Sequence, residues 1–172
     1  MSNDAGLMIS TKHSISLYVA NKPGVLNRIA LVFARRGFNI DSLVVSEAHD
    51  PVFSRMSICA TGDRRTLDQI LRQLNKLVDV VHAIDHTGEN TVEREMALVK
   101  INCTAQQRTE VMQLVHVFRC DIVDISETSL TFQATGSSEK LDAVHTMFDP
   151  YGVLEIIRTG KIVIARGEST TT

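Results

Sequence analysis

The strongest constraint on this 172-residue chain is that its later part repeats an earlier part at a fixed spacing. Ala60-Thr61-Gly62 returns as Ala134-Thr135-Gly136, and Leu67-Asp68 as Leu141-Asp142, all at an offset of 74. The apolar stripe Leu67, Ile70, Leu74 falls on Leu141, Val144, Phe148 at the same offset. Five identities are few, but a shared periodicity argues for one architecture built twice.

The first copy reads β-α-β-β-α-β. His13–Val19 alternates, with Ile15, Leu17 and Val19 on one face, the pattern of a half-buried strand. Val25–Arg36 is helical and ends in Arg35-Arg36-Gly37, cations followed by a glycine suited to a left-handed C-cap. Phe38–Glu47 and Phe53–Thr61 are strands around the turn His49-Asp50-Pro51. Asp63 is the expected N-cap of a helix carrying Leu67, Ile70, Leu71, Leu74 and Leu77, and Val78–Asp85 closes the unit. The second copy runs through a strand at Met96–Cys103 and a helix whose Thr104-Ala105-Gln106-Gln107 fits a capping box. Strands follow at Ile122–Ser126 and Leu130–Ala134, then a helix from Ser137 to Phe148 and a strand at Val153–Ile157. A short edge strand is expected at Lys161–Ala165. The polar stretch 87–94 is the expected linker. This order predicts an α+β fold of two tandem ferredoxin-like βαββαβ domains, residues 11–88 and 94–167, each an antiparallel sheet with both helices on one face. The other sheet face is expected to meet solvent or a partner. Residues 1–10 and 168–172 are expected to be flexible tails.

Composition removes several function classes. No apolar run approaches the ~18 residues of a membrane span, and MSNDAGLMIS lacks the basic and apolar regions of a signal peptide. The net charge of −2 with no basic block argues against a nucleic-acid partner. Cys59, Cys103 and Cys120 form no CxxC pair, so free thiols in a reducing cytoplasm are expected. His82 and His86 lack an evident third ligand, so no metal site is predicted. The first helix, with Val25, Leu26, Ile29, Ala30, Leu31, Val32, Phe33 and Ala34, has almost no polar face. Such a helix is expected to be covered on more than its sheet side, so a homo-oligomer is predicted through this helix or the adjacent sheet edge.

The junction Asn21-Lys22-Pro23-Gly24 is the candidate site. Proline followed by glycine favours a type II turn, since glycine accepts positive φ. As a bare structural feature it is a good strand-to-helix connection. It also leaves a side-chain-free approach to the first N–H groups of the helix, which suits a carboxylate. Asn21 offers a carbonyl to an ammonium group, and Val25 and Leu26 are apolar cover for a short aliphatic side chain. A free branched amino acid fits that description. The matching junction of the second copy, Asn102-Cys103-Thr104-Ala105-Gln106, has neither proline nor glycine, and its threonine is expected to cap the helix. The hairpin after it is also shorter.

A strand, N-K-P-G-V-L, a helix, and G-F-N-I-D-S-L opening the next strand together resemble the ACT domain of amino-acid-regulated proteins. With DPVFSRMSI, LNKLVDVV and VEREMALVKI, the series from Thr11 to about Gly167 closely resembles the small regulatory subunits of acetohydroxyacid (acetolactate) synthase. The resemblance implies a non-catalytic, cytoplasmic subunit that activates a large catalytic subunit. That subunit holds thiamine diphosphate, Mg and FAD, while this chain needs no cofactor or metal. It also implies feedback inhibition by valine, with leucine or isoleucine in some systems, in branched-chain amino acid biosynthesis. ACT domains pair as homodimers with effector sites at their interface. Residue by residue, the implied valine contacts are Asn21, Gly24, Val25 and Leu26 of one chain and Asn39 and Ile40 of the other.

Rival readings fare less well. An RNA-recognition module shares the βαββαβ order but needs aromatics on its central strands and a basic sheet face, and only 5% of this chain is aromatic. A small enzyme would need a general base near the turn, for which Asp41 and His13 are the nearest candidates in sequence. No phosphate loop or nucleophile elbow is present. A free-standing ACT-type sensor acting on another partner stays open at the level of sequence.

Overall fold

The computed structural model describes residues 11–168, 170 and 171. The expected N-terminal tail, 1–10, lies outside the described residues. The chain divides into two compact units, one reaching Val92 and including the segment from Val163 onward, the other spanning Glu93–Ile162.

The first unit runs β1 (Thr11–Ala20), α1 (Val25–Ala34), β2 (Asn39–Glu47), β3 (Phe53–Gly62), α2 (Arg64–Leu74) and β4 (Val80–Asp85). The sheet order is β2-β3-β1-β4, with each neighbouring pair antiparallel. This is the ferredoxin-like arrangement. Ile15, Leu17 and Val19 of β1 and Met56, Ile58 and Ala60 of β3 point into one core. Val25, Ile29 and Phe33 of α1 and Leu67, Ile70 and Leu74 of α2 fill it from the helix side. Their i, i+3 and i+4 spacing is why these segments are helices here: each buries one stripe, at about 1.5–3 kcal/mol per large side chain. Asp63 caps α2, accepting from the Thr66 N–H at 2.8 Å. α1 ends in a Schellman motif, Phe38 N–H to Phe33 carbonyl and Gly37 N–H to Ala34 carbonyl, with Gly37 at φ 63°.

The second unit repeats the plan with β5 (Thr91–Asn102), α3 (Arg108–Val117), β6 (Asp121–Ile125), β7 (Ser129–Gly136), α4 (Ser138–Phe148) and β8 (Val153–Arg158). Its order is β6-β7-β5-β8, and β9 (Ile162–Ala165) also pairs with β5. α2 and α4 stand 74 positions apart, and the stripe Leu141, Val144, Phe148 is fully buried.

Several expectations are corrected. The stretch 87–94 is not all linker: Thr91–Arg94 continues into β5, and Lys161 Nζ meets the Glu93 carboxylate at 2.7 Å. The outer face of the first sheet is not simply open. Ser14 and Ser16 are buried there, and Ser16 Oγ donates to the Thr171 carbonyl at 3.3 Å. Thr171, expected in a flexible tail, is 3% exposed. A further correction, at Thr104, bears on the candidate site.

Candidate ligand site at the first strand-to-helix turn

The turn Lys22–Val25 closes by a hydrogen bond from the Val25 N–H to the Lys22 carbonyl, 3.4 Å long. Gly24 sits at φ 83°, ψ −9°, the geometry of the third residue of a type II turn. It is also the N-cap of α1 and supplies no side-chain cap. The Arg28 N–H reaches the Gly24 carbonyl at 3.1 Å. Among the described residues, the Leu26 and Asn27 N–H groups find no acceptor, so two donors remain free at the positive end of the helix.

Asn21 is fixed on two sides by the β2–β3 loop. Its N–H donates to the Val52 carbonyl at 2.8 Å, and its Nδ2 donates to the Pro51 carbonyl at 3.0 Å. One amide hydrogen is thereby committed, and Oδ1 keeps its accepting capacity for an ammonium group. Leu26 is 43% exposed beside the turn, the apolar cover expected of it. Val25 differs: its side chain is buried in the core, and only its backbone stays at the turn.

Asn39 and Ile40 open β2 at the far end of the sheet. Asn39 pairs with Thr61 and Glu47 with Ser54, while β1 reaches the turn at Ala20, opposite Phe53. Eight strand residues at ~3.3 Å each put roughly 25 Å between the two groups of residues within one chain. The structure therefore does not bring Asn39 and Ile40 to Gly24 of the same chain. Asn39 Nδ2 bonds Asp41 Oδ1 at 3.2 Å, and Ile40 rests half-buried against the core.

Sequence reasoning missed Arg28. No acidic residue stands in the first turn of α1, yet an arginine does. A cation there opposes the helix dipole unless an anion is also present, and the structure supplies that anion in Asp79. The Arg28 guanidinium is held by Asp79 at 2.6 Å. A Cβ built on Gly24 would lie 3.7 Å from Arg28 Nη1, so guanidinium, free N–H groups and bare glycine share one small space.

The second unit supplies the comparison, though not for the expected reason. Thr104 does not cap α3. Its N–H and hydroxyl both donate to Gln107 Oε1, and α3 begins at Arg108 with no side-chain cap. The Gln107 side chain bends back before the helix starts, which takes the threonine oxygen out of reach of the helix N–H groups. What distinguishes α3 is Glu110, its own carboxylate in the first turn, which accepts from the Tyr151 hydroxyl at 2.8 Å. That hydrogen bond raises the Tyr151 pKa. One unit thus carries a carboxylate within the first turn of its helix, while in the other the nearby carboxylate, Asp79, comes from outside the helix and is engaged by Arg28.

The general-base candidates are not at the turn. Asp41 is bonded by Asn39 and Thr61, and His13 lies opposite Ala60 with Nε2 3.3 Å from the Gly62 carbonyl. His82 stacks on Tyr18, and its pKa is lowered by burial and then by the Arg55 charge. No helix among the described residues is long and apolar enough to cross a membrane.

Two family models match the chain. One, described as the AHAS small subunit-like ACT domain, covers residues 15–82, and one described as the small subunit of acetolactate synthase covers residues 94–167. The chain is 45% identical over 159 residues to a probable acetolactate synthase small subunit of Methanothermobacter thermautotrophicus, covering 92% of this chain and 95% of that one. It is 42% identical over 155 residues to the acetolactate synthase small subunit of Mycolicibacterium smegmatis, covering 90% and 91%. The crystal structure of the acetolactate synthase small subunit from Thermotoga maritima superposes with a TM-score of 0.83 at 40% identity, covering 92% of this chain and 99% of that one.

Proposed function

Because this chain belongs to the acetolactate synthase small-subunit family, we propose that it is a non-catalytic, cytoplasmic regulatory subunit that binds and activates the catalytic subunit and makes it sensitive to valine. Thiamine diphosphate, Mg and FAD belong to that catalytic partner. The observation that carries the effector reading is the start of α1: a left-handed Gly24, two unclaimed N–H groups and Arg28 close by. Together they are a receptor for one carboxylate. Asn21 Oδ1 supplies the acceptor for the ammonium group, and exposed Leu26 the cover for a branched side chain.

The site is completed by a second copy. β2 is an edge strand nine residues long, and α1 turns exposed Leu26 and Leu31 outward. Long unpaired edges are templates for strand pairing. An antiparallel pair of β2 strands about their common middle sets Asn39 and Ile40 of one chain opposite the Glu47 end of the other. That is the end at which the Gly24 turn lies. Valine binding at this homodimer seam links effector occupancy to the geometry of the pair, which is how a non-catalytic subunit transmits a signal.

The test is ligand linkage. Saturating valine raises the melting midpoint of the isolated chain, since a ligand that binds only the folded form stabilises by RT ln(1 + [L]/Kd), about 2.7 kcal/mol at one hundred times Kd. If valine, leucine and isoleucine all leave the melting curve in place, the assignment of this turn is wrong.

A further inference from the structure

On the reading of the Gly24 turn as an effector site, we infer that Asp79 is its positioning residue. Asp79 holds Arg28 so that one edge of the guanidinium faces the place of the effector carboxylate.

The two terminal nitrogens of Arg28 serve two directions. Nη2 donates to Asp79 Oδ2 at 2.6 Å. Nη1 faces the turn, 3.7 Å from the position that a Cβ on Gly24 would take. Among the described residues Nη1 has no acceptor, so its hydrogens are available to a ligand. Both ends of the arginine are fixed. Its backbone N–H donates to the Gly24 carbonyl at 3.1 Å, and its head is held by a residue 51 positions further along the chain. Asp79 is fixed as well. Its carbonyl accepts the Ala20 N–H at 2.8 Å, directly before Asn21, and its side chain is 14% exposed against 48% for Arg28. A carboxylate tied by its own backbone to the strand that enters the turn is a rigid reference for the guanidinium.

Stability does not account for the pair. An ion pair with one partner half-exposed adds little to folding. Arginine as the fourth residue of α1 works against the helix dipole, and a neutral side chain there would need no partner from the α2–β4 loop. What the pair adds is a charged donor with a set direction. An unheld arginine spreads over many rotamers and loses that freedom on binding. The fork is planar, so fixing Nη2 on Asp79 also fixes where Nη1 points. A carboxylate beside Gly24 then meets the free helix N–H groups and one charged N–H, while Asp79 keeps its own bond to Nη2. Asp79 also offsets part of the attraction of Arg28 for an anion. Orientation and competition therefore give opposite signs when Asp79 is removed.

The experiment sets valine against valinamide, which keeps the ammonium group and the side chain but has no carboxylate. Dissociation constants are measured by titration calorimetry on the full chain. The wild type should prefer valine by about tenfold or more, the size of one hydrogen bond to a charged group. In Asp79→Ala valine should weaken by about tenfold for the same reason, while valinamide stays near its wild-type Kd. Asp79→Asn, which keeps an acceptor for Nη2, should keep the preference. Arg28→Gln should lose it, and Asp79→Ala added to Arg28→Gln should change nothing more. The proposal is overturned if Asp79→Ala binds valine as tightly as the wild type or more tightly, since Asp79 would then only compete with the effector. It is also overturned if valine and valinamide weaken equally, since the turn itself would then have moved. Where Asp79→Ala does not fold, Asp79→Glu decides: it keeps the charge but displaces the guanidinium by one methylene, and an unchanged preference for valine overturns the proposal. Absence of valine binding to the wild-type chain would refute the reading of the turn and the role of Asp79 with it. Binding that does not depend on Asp79 would refute that role alone.

Discussion

Replacing Gly24 by aspartate places a permanent carboxylate in the space assigned to that of the effector. The backbone cost is modest: at φ 83° an L-residue is strained by about 1–2 kcal/mol, less for Asp and Asn. The new Cβ meets nothing closer than Arg28 Nη1 at 3.7 Å, so there is no clash to add. A negative charge at the N-cap returns about 0.3–1 kcal/mol through the helix dipole. The folded chain should therefore be nearly as stable as the parent. Ligand binding is another matter. Two like charges ~4 Å apart repel by about 4 kcal/mol at an effective dielectric constant near 20. Arg28 can turn toward the new carboxylate at the expense of Asp79 and reduce this, so the expected loss is about 1.4–4 kcal/mol, roughly tenfold to a thousandfold in Kd. Titration calorimetry with valine measures it. Gly24→Asn is the control, with similar strain and size and no charge, and should lose far less. Equal losses in the two variants would mean that shape rather than charge governs the site. Retention of valine by Gly24→Asp would refute the account of the turn.

Three further outcomes are expected. Val45→Lys on the exposed edge strand β2 should convert a dimer to monomer in sedimentation velocity while leaving the circular dichroism spectrum unchanged; an unaltered dimer would move the interface elsewhere. The pKa of Asp63 is lowered by hydrogen bonds from Thr66, its side chain first and its N–H second. A depressed carboxylate contributes stability that is present above its unfolded pKa and lost as pH falls through the folded one, so urea midpoints should drop on acidification below about pH 4. Asp63→Asn, which keeps the cap without the charge, should flatten that part of the profile. Arg119 occupies the left-handed region at φ 51° where the first unit has Gly37, so Arg119→Gly should stabilise the second unit by up to about 1 kcal/mol in denaturant unfolding.

The repeat made most of the fold legible. Leu67, Ile70 and Leu74 and their counterparts carry a 3.6-residue period strong enough to place α2 and α4, and Asp63 announces its cap. The earlier halves of the two units match as well, but at an offset of 82: Phe33, Gly37 and Phe38 correspond to Val115, Arg119 and Cys120 in the same Schellman geometry. The eight-residue change comes from the shorter β6–β7 hairpin, which hid this part of the duplication from a search at one spacing. Thr104 misled because a capping box is a pattern of residue types, while the outcome depends on where the helix starts, and Gln107 moved that start. Type II geometry at Gly24 was readable from Pro-Gly alone. The buried side chain of Val25 was not, since first-turn residues of an almost wholly apolar helix do not declare which side faces the sheet. Arg28 was readable as a charge against the helix dipole, but its partner Asp79, far along the chain, was not. The seating of Thr171 on Ser16 was not readable at all: a polar tail and a serine in a strand carry no periodicity that joins positions 155 residues apart.

The central claim is tested most directly by reconstitution. The purified chain is added to the cognate catalytic subunit, and acetolactate formation is followed across subunit ratios with and without valine. The account predicts that turnover rises to a plateau as the chain is added, and that valine then suppresses it in the wild-type complex but not in the Gly24→Asp complex. No stimulation at any ratio, or equal suppression by valine in both complexes, would contradict it.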